Sequence, residues 1–244
     1  MTALTVSASL VGLALLVTVG GAAAGRGVRR YGGWVNLFAG WVVGVVGAVV
    51  GVVVAVVLLG HEPRSSMDLL LIGIPAMSAG ELATVSLAVA SARGVAFTRP
   101  SLRWLRMAAP ALGCVVVSWY VWGALAERVG IPLVEQPIVT LIRAAPVIST
   151  MGVLRVWGAI GAPILEEAIF RGWLQGILSE KLGSSIGTAL VIVAFTGMHA
   201  DTPSALPPIL VLAVVAGVLR AQSGSIVPGL LVHVGNNTLS LVLA

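Results

Sequence analysis

Long apolar stretches separated by short polar segments are the dominant pattern along the chain. They predict eight spans, at about residues 4–24, 34–60, 68–92, 107–126, 157–178, 184–200, 206–222 and 224–243. A helix needs about 20 apolar residues to cross the hydrocarbon core of a membrane, and it satisfies its own backbone hydrogen bonds there. The apolar runs are long and continuous, which favours helices over barrel strands. The pattern therefore predicts an all-α, polytopic membrane helix bundle with about eight transmembrane helices.

The composition agrees with a lipid environment. The sequence is 58% hydrophobic and 9% charged, whereas a soluble domain carries about 25% charged residues. No repeat, low-complexity tail or long linker is visible, which predicts a single integral membrane domain over residues 1–244. The second predicted span contains small residues that suit close helix contacts: Gly40, Gly44, Gly47 and Gly51. Cys114 is the only cysteine, which excludes an intramolecular disulfide and a thiolate metal cluster.

The basic residues bear on membrane orientation. The formal net charge is +5, but the positive charges lie in short clusters between apolar runs, which argues against a nucleic-acid partner. The clusters after the first and third predicted spans contain Arg26, Arg29, Arg30, Arg93, Arg99, Arg103 and Arg106. The positive-inside rule places these loops in the cytoplasm. We therefore expect a multi-pass protein of a bacterial or archaeal cytoplasmic membrane, with both termini extracytoplasmic.

The stretch from 131 to 156 differs from the apolar runs around it. It is only moderately apolar, and it contains Pro132, Pro137, Pro146, Glu135 and Arg143. We predict a surface-lying or re-entrant connector here and not a ninth span.

Ionisable side chains inside apolar spans are costly, so each one marks a candidate functional position. The predicted spans contain Glu81, Glu166, Glu167, Arg171, His199 and His233, together with the polar residue Asn237. Glu81 has two readings. It is either a carboxylate bonded to a polar group of another helix or a residue of a transport site.

The fifth predicted span carries two adjacent glutamates that differ in helical phase. Each α-helical residue turns the chain by about 100°, so residues four apart lie about 40° from each other. Glu167 and Arg171 therefore share a face and are predicted to neutralise one another. Glu166 lies about 140° from Arg171 and has no evident local partner. We predict a structural role for Glu167 and Arg171, and a chemical role for Glu166.

The same spacing occurs in two later spans. Phe195 and His199 are four residues apart, and so are His233 and Asn237, which places each pair on one helix face. Three helices are thereby predicted to present a carboxylate, two imidazoles and a carboxamide to one interior cavity. Taken singly, each pair has a structural reading as a salt bridge, a packing contact or an interhelical hydrogen bond. Their combination favours a functional site.

The three elements resemble the motifs of a known family. Glu-Glu-x-x-Phe-Arg-Gly at 166–172, Phe-x-x-x-His at 195–199 and His-x-x-x-Asn at 233–237 are similar to those of the CPBP (CAAX protease and bacteriocin-processing) intramembrane proteases. The resemblance covers residues 157–241. The family includes the Ras-converting CAAX endopeptidases and bacterial bacteriocin-processing and immunity-associated proteins. The resemblance implies a glutamic-type intramembrane endopeptidase.

The resemblance also implies a role for each motif residue. The catalytic residues would be Glu166, His199, His233 and Asn237, with Glu167, Arg171 and Phe195 as structural support. The first two would hold and deprotonate a water that attacks the scissile carbonyl, and the next two would donate hydrogen bonds to the developing oxyanion. The expected partners are the lipid bilayer and a membrane-associated protein or peptide substrate.

Three alternatives stay open at this point. Two histidines and a glutamate could ligate zinc, but the His-Glu-x-x-His helix of many zinc proteases is absent, and we expect no cofactor. Ser223 and Ser225 precede His233 but lack the Gly-x-Ser-Gly signature of a serine intramembrane protease. The alternative from another class is a non-catalytic membrane protein, such as an immunity factor or a small transporter, although no inverted repeat is evident.

Overall fold

The computed structural model describes residues 3–91, 97–134 and 155–242, and most of these residues are helical. The helices are α1 (Ala3–Val28), α2 (Gly33–Leu59), α3 (Ser66–Ala90), α4 (Leu102–Val129), α5 (Ala162–Glu167), α6 (Gln175–Leu182), α7 (Ser184–Gly197), α8 (Leu206–Ser223) and α9 (Val227–Val242). Two π-helical segments flank α5: Trp157–Gly161 precedes it, and Ala168–Leu174 joins it to α6. Residues 157–182 thus form one continuous helical run, called here the glutamate helix.

An all-α membrane fold is confirmed, because the described part of the chain contains no strand and several helices suit a bilayer. Five helical segments are long and apolar enough to cross a membrane: Ala8–Val28, Gly33–Leu59, Leu71–Ala90, Leu102–Val129 and Pro203–Ser223. Helix α7 is apolar but has only 14 residues, and α9 has 16. Every predicted span therefore corresponds to a helical segment, although not all of them reach the length of a full crossing.

Two of the sequence-based predictions, the connector and the single membrane domain, stay predictions. Residues 135–154, which make up most of the predicted connector, lie outside them. The contacts also group the chain into two compact units, Met1–Val95 and Ala96–Ala244. The single membrane domain over 1–244 stays a prediction, and each unit is described by itself below.

In the first unit, small residues allow α2 and α3 to pack with their backbones close together. A Cβ atom added to Gly47 would lie 2.9 Å from the carbonyl oxygen of Ala79, and one on Gly51 would lie 2.6 Å from the Cα atom of Ala76. Backbone atoms cannot move aside as a flexible side chain can, so a larger residue would force the helices apart. These glycines therefore set the distance between α2 and α3.

The second unit packs the glutamate helix against α7, α8 and α9, while α4 covers α8 and α9. The turn between α6 and α7 contains Gly183, whose φ of 86° favours glycine. A Cβ on Gly187 would lie 2.5 Å from the backbone nitrogen of Ser179, so α7 lies directly against the end of α6. Buried apolar residues from three helices, among them Val115, Leu219 and Val232, form the core beneath α4.

Candidate active site

The glutamate helix carries a fully buried ion pair into the interior of the second unit. Oε1 of Glu167 lies 3.0 Å from Nη1 of Arg171, and both side chains are shielded from solvent. Nη2 of Arg171 donates a hydrogen bond of 3.4 Å to the carbonyl oxygen of Ala213 in α8. Its guanidinium carbon lies 4.1 Å from the centre of the Phe195 ring. The arginine charge is thus balanced by Glu167 and covered by an aromatic face, as a buried cation requires.

His233 of α9 lies between the two glutamates. Its Nδ1 atom is 3.0 Å from Oε1 of Glu167, and its Nε2 atom is 3.7 Å from Oε2 of Glu166. A carboxylate can only accept a hydrogen bond, so this pairing assigns the proton of Nδ1 to the contact with Glu167. The distance of Nε2 from Glu166 exceeds that of a hydrogen bond. His233 is therefore fixed by one glutamate and faces the other.

Glu166 differs from Glu167 in how its carboxylate is satisfied. Among the described residues, both glutamates have a buried Oε2 atom without a hydrogen-bond partner. Oε1 of Glu167, however, lies 3.0 Å from Arg171 and 3.0 Å from His233, whereas Oε2 of Glu166 lies 3.7 Å from His233. The side chain of Glu166 retains 17% of its exposure, whereas that of Glu167 retains none. The carboxylate of Glu166 is therefore partly accessible from outside the helix bundle, which suits a group that takes up and releases a proton.

The helix that carries both glutamates is not a regular α-helix. The six-residue segment α5 lies between two π-helical segments, a feature often found at functional sites. The helical-wheel prediction assumed an uninterrupted α-helix. The contact between Glu167 and Arg171 forms nevertheless, although Arg171 lies in the second π-helical segment. The nearest described partner of Glu166 comes from α9 and was not predictable from its own helix.

The Phe195 and His199 pair forms the second side of the site. His199 lies in the turn that follows α7, and its Nδ1 atom is 2.9 Å from the carbonyl oxygen of Phe195. Because a carbonyl only accepts, Nδ1 carries the proton and Nε2 is left as an acceptor. The buried Phe195 ring contacts both imidazoles, with centroid distances of 5.0 Å to His199 and 5.6 Å to His233. The motif phenylalanine thus packs between the two histidines.

Asn237 is held by hydrogen bonds on both sides of its carboxamide. Its Nδ2 atom donates to the carbonyl oxygen of Gly158 at 3.1 Å, and its Oδ1 atom accepts from Nδ2 of Asn236 at 3.2 Å. The indole nitrogen of Trp119 in α4 donates in turn to Oδ1 of Asn236 at 3.1 Å. Neither Trp119 nor Asn236 was among the predicted site residues. The available signal was that Asn236 is a second carboxamide within an apolar span.

Two further polar residues that the motifs did not indicate attach the glutamate helix to its neighbours. Nε2 of Gln175 donates to Oγ1 of Thr188 at 2.9 Å and to the carbonyl oxygen of Gly217 at 3.0 Å. Nε of Arg220 donates to the backbone carbonyl of Arg171 at 3.1 Å. Their partners lie on other helices, so sequence spacing carried no signal for either residue.

The described side chains do not form a metal site. No group of three or more histidine, cysteine, aspartate or glutamate residues is arranged to hold a metal ion within residues 3–91, 97–134 and 155–242. A catalytic zinc ion needs three such protein ligands. The zinc alternative stays open, and the metal independence of the reaction stays a prediction.

The fold and the site together define a class of protein: a multi-pass membrane protein with a buried glutamate and histidine site among its helices. A family model described as "Type II CAAX prenyl endopeptidase Rce1-like" matches residues 148–239. The resemblance noted from the motifs is thereby confirmed for this region, which is similar to the CAAX-protease (CPBP) family. The match supports an intramembrane protease of the CAAX type, which acts on a peptide or protein in a membrane. No curated protein and no solved structure was found to match the chain.

Proposed function

We propose that this protein is an intramembrane endopeptidase in which Glu166 and His199 activate the attacking water. The observation that carries this proposal is the unequal state of the two adjacent glutamates. Oε1 of Glu167 is bound by Arg171 and His233 at 3.0 Å each, whereas Oε2 of Glu166 lies 3.7 Å from Nε2 of His233, beyond hydrogen-bond distance, and its side chain is partly accessible. A carboxylate that is already bound to a cation is a poor proton acceptor. Glu166 is therefore the better general base.

In the proposed reaction the carboxylate of Glu166 removes a proton from water while the water oxygen attacks the scissile carbonyl carbon. His199 accepts a second hydrogen bond from the same water through Nε2, because its Nδ1 proton is committed to the Phe195 carbonyl. The proton held by Glu166 then passes to the nitrogen of the leaving group as the carbon–nitrogen bond breaks. The enzyme forms no covalent intermediate with the substrate.

The oxyanion of the tetrahedral intermediate is assigned to His233 and Asn237. His233 donates from Nε2 when both ring nitrogens are protonated, and the carboxylate of Glu167 at Nδ1 stabilises that positive charge. At this stage Glu166 holds the proton from water, so the negative charges of Glu167 and the oxyanion are balanced by Arg171 and protonated His233, which lowers the cost of burying the four charges. Asn237 contributes the amide N–H that is not bound to Gly158.

Cleavage of a membrane-anchored peptide by the purified full chain tests the proposal. Glu166→Gln keeps the shape of the side chain but removes the proton acceptor, so the cleavage rate should fall by about 100-fold or more. Glu127→Gln is the matched control, because it makes the same change at an exposed glutamate of α4, and its rate should equal that of the unaltered protein. Full cleavage by Glu166→Gln, or by both His199→Ala and His233→Ala, would refute the proposed roles of these residues. Wild-type function of all three variants in cells would refute the proposed protease and favour the non-catalytic alternative.

The family resemblance leaves three kinds of substrate: a prenylated CAAX protein, a peptide precursor and the C-terminal anchor of a surface protein. A membrane proteome from cells with the unaltered protein should contain cleaved fragments that are missing in cells with Glu166→Gln. The sequence of the new termini would identify both the substrate class and the cleavage site.

We also propose that both termini lie outside the cytoplasm, on the strength of the arginine clusters that follow the first and third predicted spans. A reporter fused after Ala244 should give the extracytoplasmic signal, and one inserted near Arg99 should give the cytoplasmic signal. The opposite result for both fusions would reverse the orientation.

A further inference from the structure

A series of side-chain hydrogen bonds, called here the relay, runs from Trp119 through Asn236 to the carboxamide of Asn237 and so reaches it from a different helix. It runs from Trp119 in α4 to Asn236 (3.1 Å), from Asn236 to Asn237 (3.2 Å) and from Asn237 to the carbonyl oxygen of Gly158 (3.1 Å). The relay therefore connects α4, α9 and the first π-helical segment of the glutamate helix. It is partly shielded from solvent, since Asn236 is only 6% exposed.

The two ends of the relay determine the direction of every bond in it. The indole N–H of Trp119 can only donate, and the carbonyl of Gly158 can only accept. Consequently the oxygen of Asn236 must face the indole, and its NH2 group must face Asn237. The oxygen of Asn237 must then face Asn236, and its own NH2 group must face Gly158. Two carboxamides that are nearly symmetric in shape thus acquire one defined orientation.

This orientation matters for the chemistry assigned to Asn237. One of its two amide protons is bound to Gly158, and the second is left to donate to an oxyanion. If the carboxamide turned over, it would present an oxygen to a developing negative charge, and the contact would be repulsive. We propose that Trp119 and Asn236 are positioning residues, which hold Asn237 with its N–H toward the substrate carbonyl. This proposal rests on the proposed protease function.

The experiment compares cleavage by the full chain with and without the relay. Asn236→Leu removes both relay bonds at similar size, and we expect kcat to fall by about 10-fold with little change in KM, because a charge present only in the transition state loses its donor. Trp119→Phe leaves Asn236 free to turn over, and we expect a fall of about 3-fold. Ser240→Ala is the matched control, since it removes only a 2.9 Å hydrogen bond to the backbone carbonyl of Asn236. Its kcat should not change.

Repeating the substitutions in an Asn237→Ala background separates positioning from general support. Positioning predicts that Asn236→Leu causes no further loss of kcat once Asn237 is gone. An equal loss in both backgrounds, or no loss in either, overturns the proposal.

Thermal stability provides a readout that does not depend on cleavage. Among the described residues, Trp119 and Asn237 are connected by hydrogen bonds through Asn236. The Tm shifts of Trp119→Phe and Asn237→Ala should therefore be non-additive, and additive in an Asn236→Leu background. If the unaltered protein cleaved no membrane-anchored peptide, the protease function would fail by itself. The non-additivity of the Tm shifts would then still test whether the relay orients Asn237. Additive shifts in both backgrounds would overturn the proposed relay.

Discussion

The two units of the chain bury polar side chains in different ways. In the described part of the first unit, the buried polar residues are Asn36, Thr84 and Ser91, and all three are neutral. Each donates to backbone carbonyl oxygens: Asn36 to those of Val28, Tyr31 and Gly32, Thr84 to that of Gly80, and Ser91 to that of Ala88. The second unit instead buries three ionisable groups, Glu167, Arg171 and His233, which contact one another.

The difference separates packing from chemistry. A hydroxyl or amide N–H that donates to a backbone carbonyl of its own or a neighbouring helix adds little cost in lipid, although Oδ1 of Asn36 is left without a partner among the described residues. An ionised group costs several kcal/mol to bury even when paired, and apolar residues of the same size could fill its place. The charged cluster in the second unit is therefore better explained by function than by stability. Glu81 of the first unit is not an exception to this difference, because it is half-buried and has an interaction partner.

The largest effect is expected from breaking the charged cluster. Glu167→Gln leaves Arg171 as an unpaired buried charge, so the free energy of unfolding should fall by about 3–5 kcal/mol. Arg171→Gln should have a similar effect, and the double variant should lose less than the sum, because the two residues are directly coupled. Denaturant unfolding of the purified variants measures this. Glu166→Gln is the control, with near-normal stability and little activity. A stable, inactive Glu167→Gln beside an active Glu166→Gln would reverse the assigned roles.

An intermediate effect is expected from the close helix packing of the first unit. Gly51→Ala places a methyl group 2.6 Å from the Cα atom of Ala76, and the backbone shift should cost about 1–3 kcal/mol. Cleavage per folded molecule should not change, because the proposed catalytic residues all lie in the second unit. Gly20→Ala is the control, since no atom of another residue lies close to its added Cβ. A normal Tm for Gly51→Ala would show that α2 and α3 tolerate a wider separation.

A smaller effect is expected at the first turn of α3. The hydroxyl of Ser65 accepts from the backbone N–H of Asp68 at 3.1 Å, and the Asp68 carboxylate accepts from the backbone N–H of Ser65 at 3.1 Å. Ser65→Ala removes one half of this capping box and should lower stability by about 1 kcal/mol. Thermal unfolding at neutral pH would measure it, with Ser240→Ala as a hydroxyl deletion elsewhere. A shift equal to that control would show that the cap contributes nothing specific.

The same turn also predicts a pH dependence. The backbone N–H of Arg64 holds the pKa of Asp68 below its ordinary value of 3.8. A depressed folded-state pKa adds stability above the unfolded value, and that stability is lost as the pH falls through the folded value. The Tm should therefore fall less below about pH 4 in Asp68→Asn than in the unaltered protein. Identical acid profiles would exclude a contribution from Asp68.

No effect at all is expected from metal removal. Cleavage by the purified protein should persist after exhaustive treatment with a strong chelator, because the proposed mechanism uses only side chains and water. Activity that disappears on chelation and returns with stoichiometric zinc would replace the glutamate mechanism by a metal-dependent one.

The spacing of residues along the sequence was sufficient to predict the helices, one ion pair and the family resemblance. The apolar runs predicted helices because a backbone in lipid must satisfy its own hydrogen bonds, and every predicted span corresponds to a helical segment. The contact between Glu167 and Arg171 was also predictable, since residues four apart on a helix face the same side. The three motifs identified the family because they combine residue types and spacings that are written in the chain itself.

Contacts between helices were decided only by the tertiary structure. Spacing along α9 could not show that His233 bonds Glu167 and faces Glu166, because that depends on how α9 packs against the glutamate helix. The π-helical segments and the relay from Trp119 through Asn236 have the same origin. Helical periodicity fixes which side of a helix a residue occupies, but the packing of complete helices decides which residue of another helix it meets.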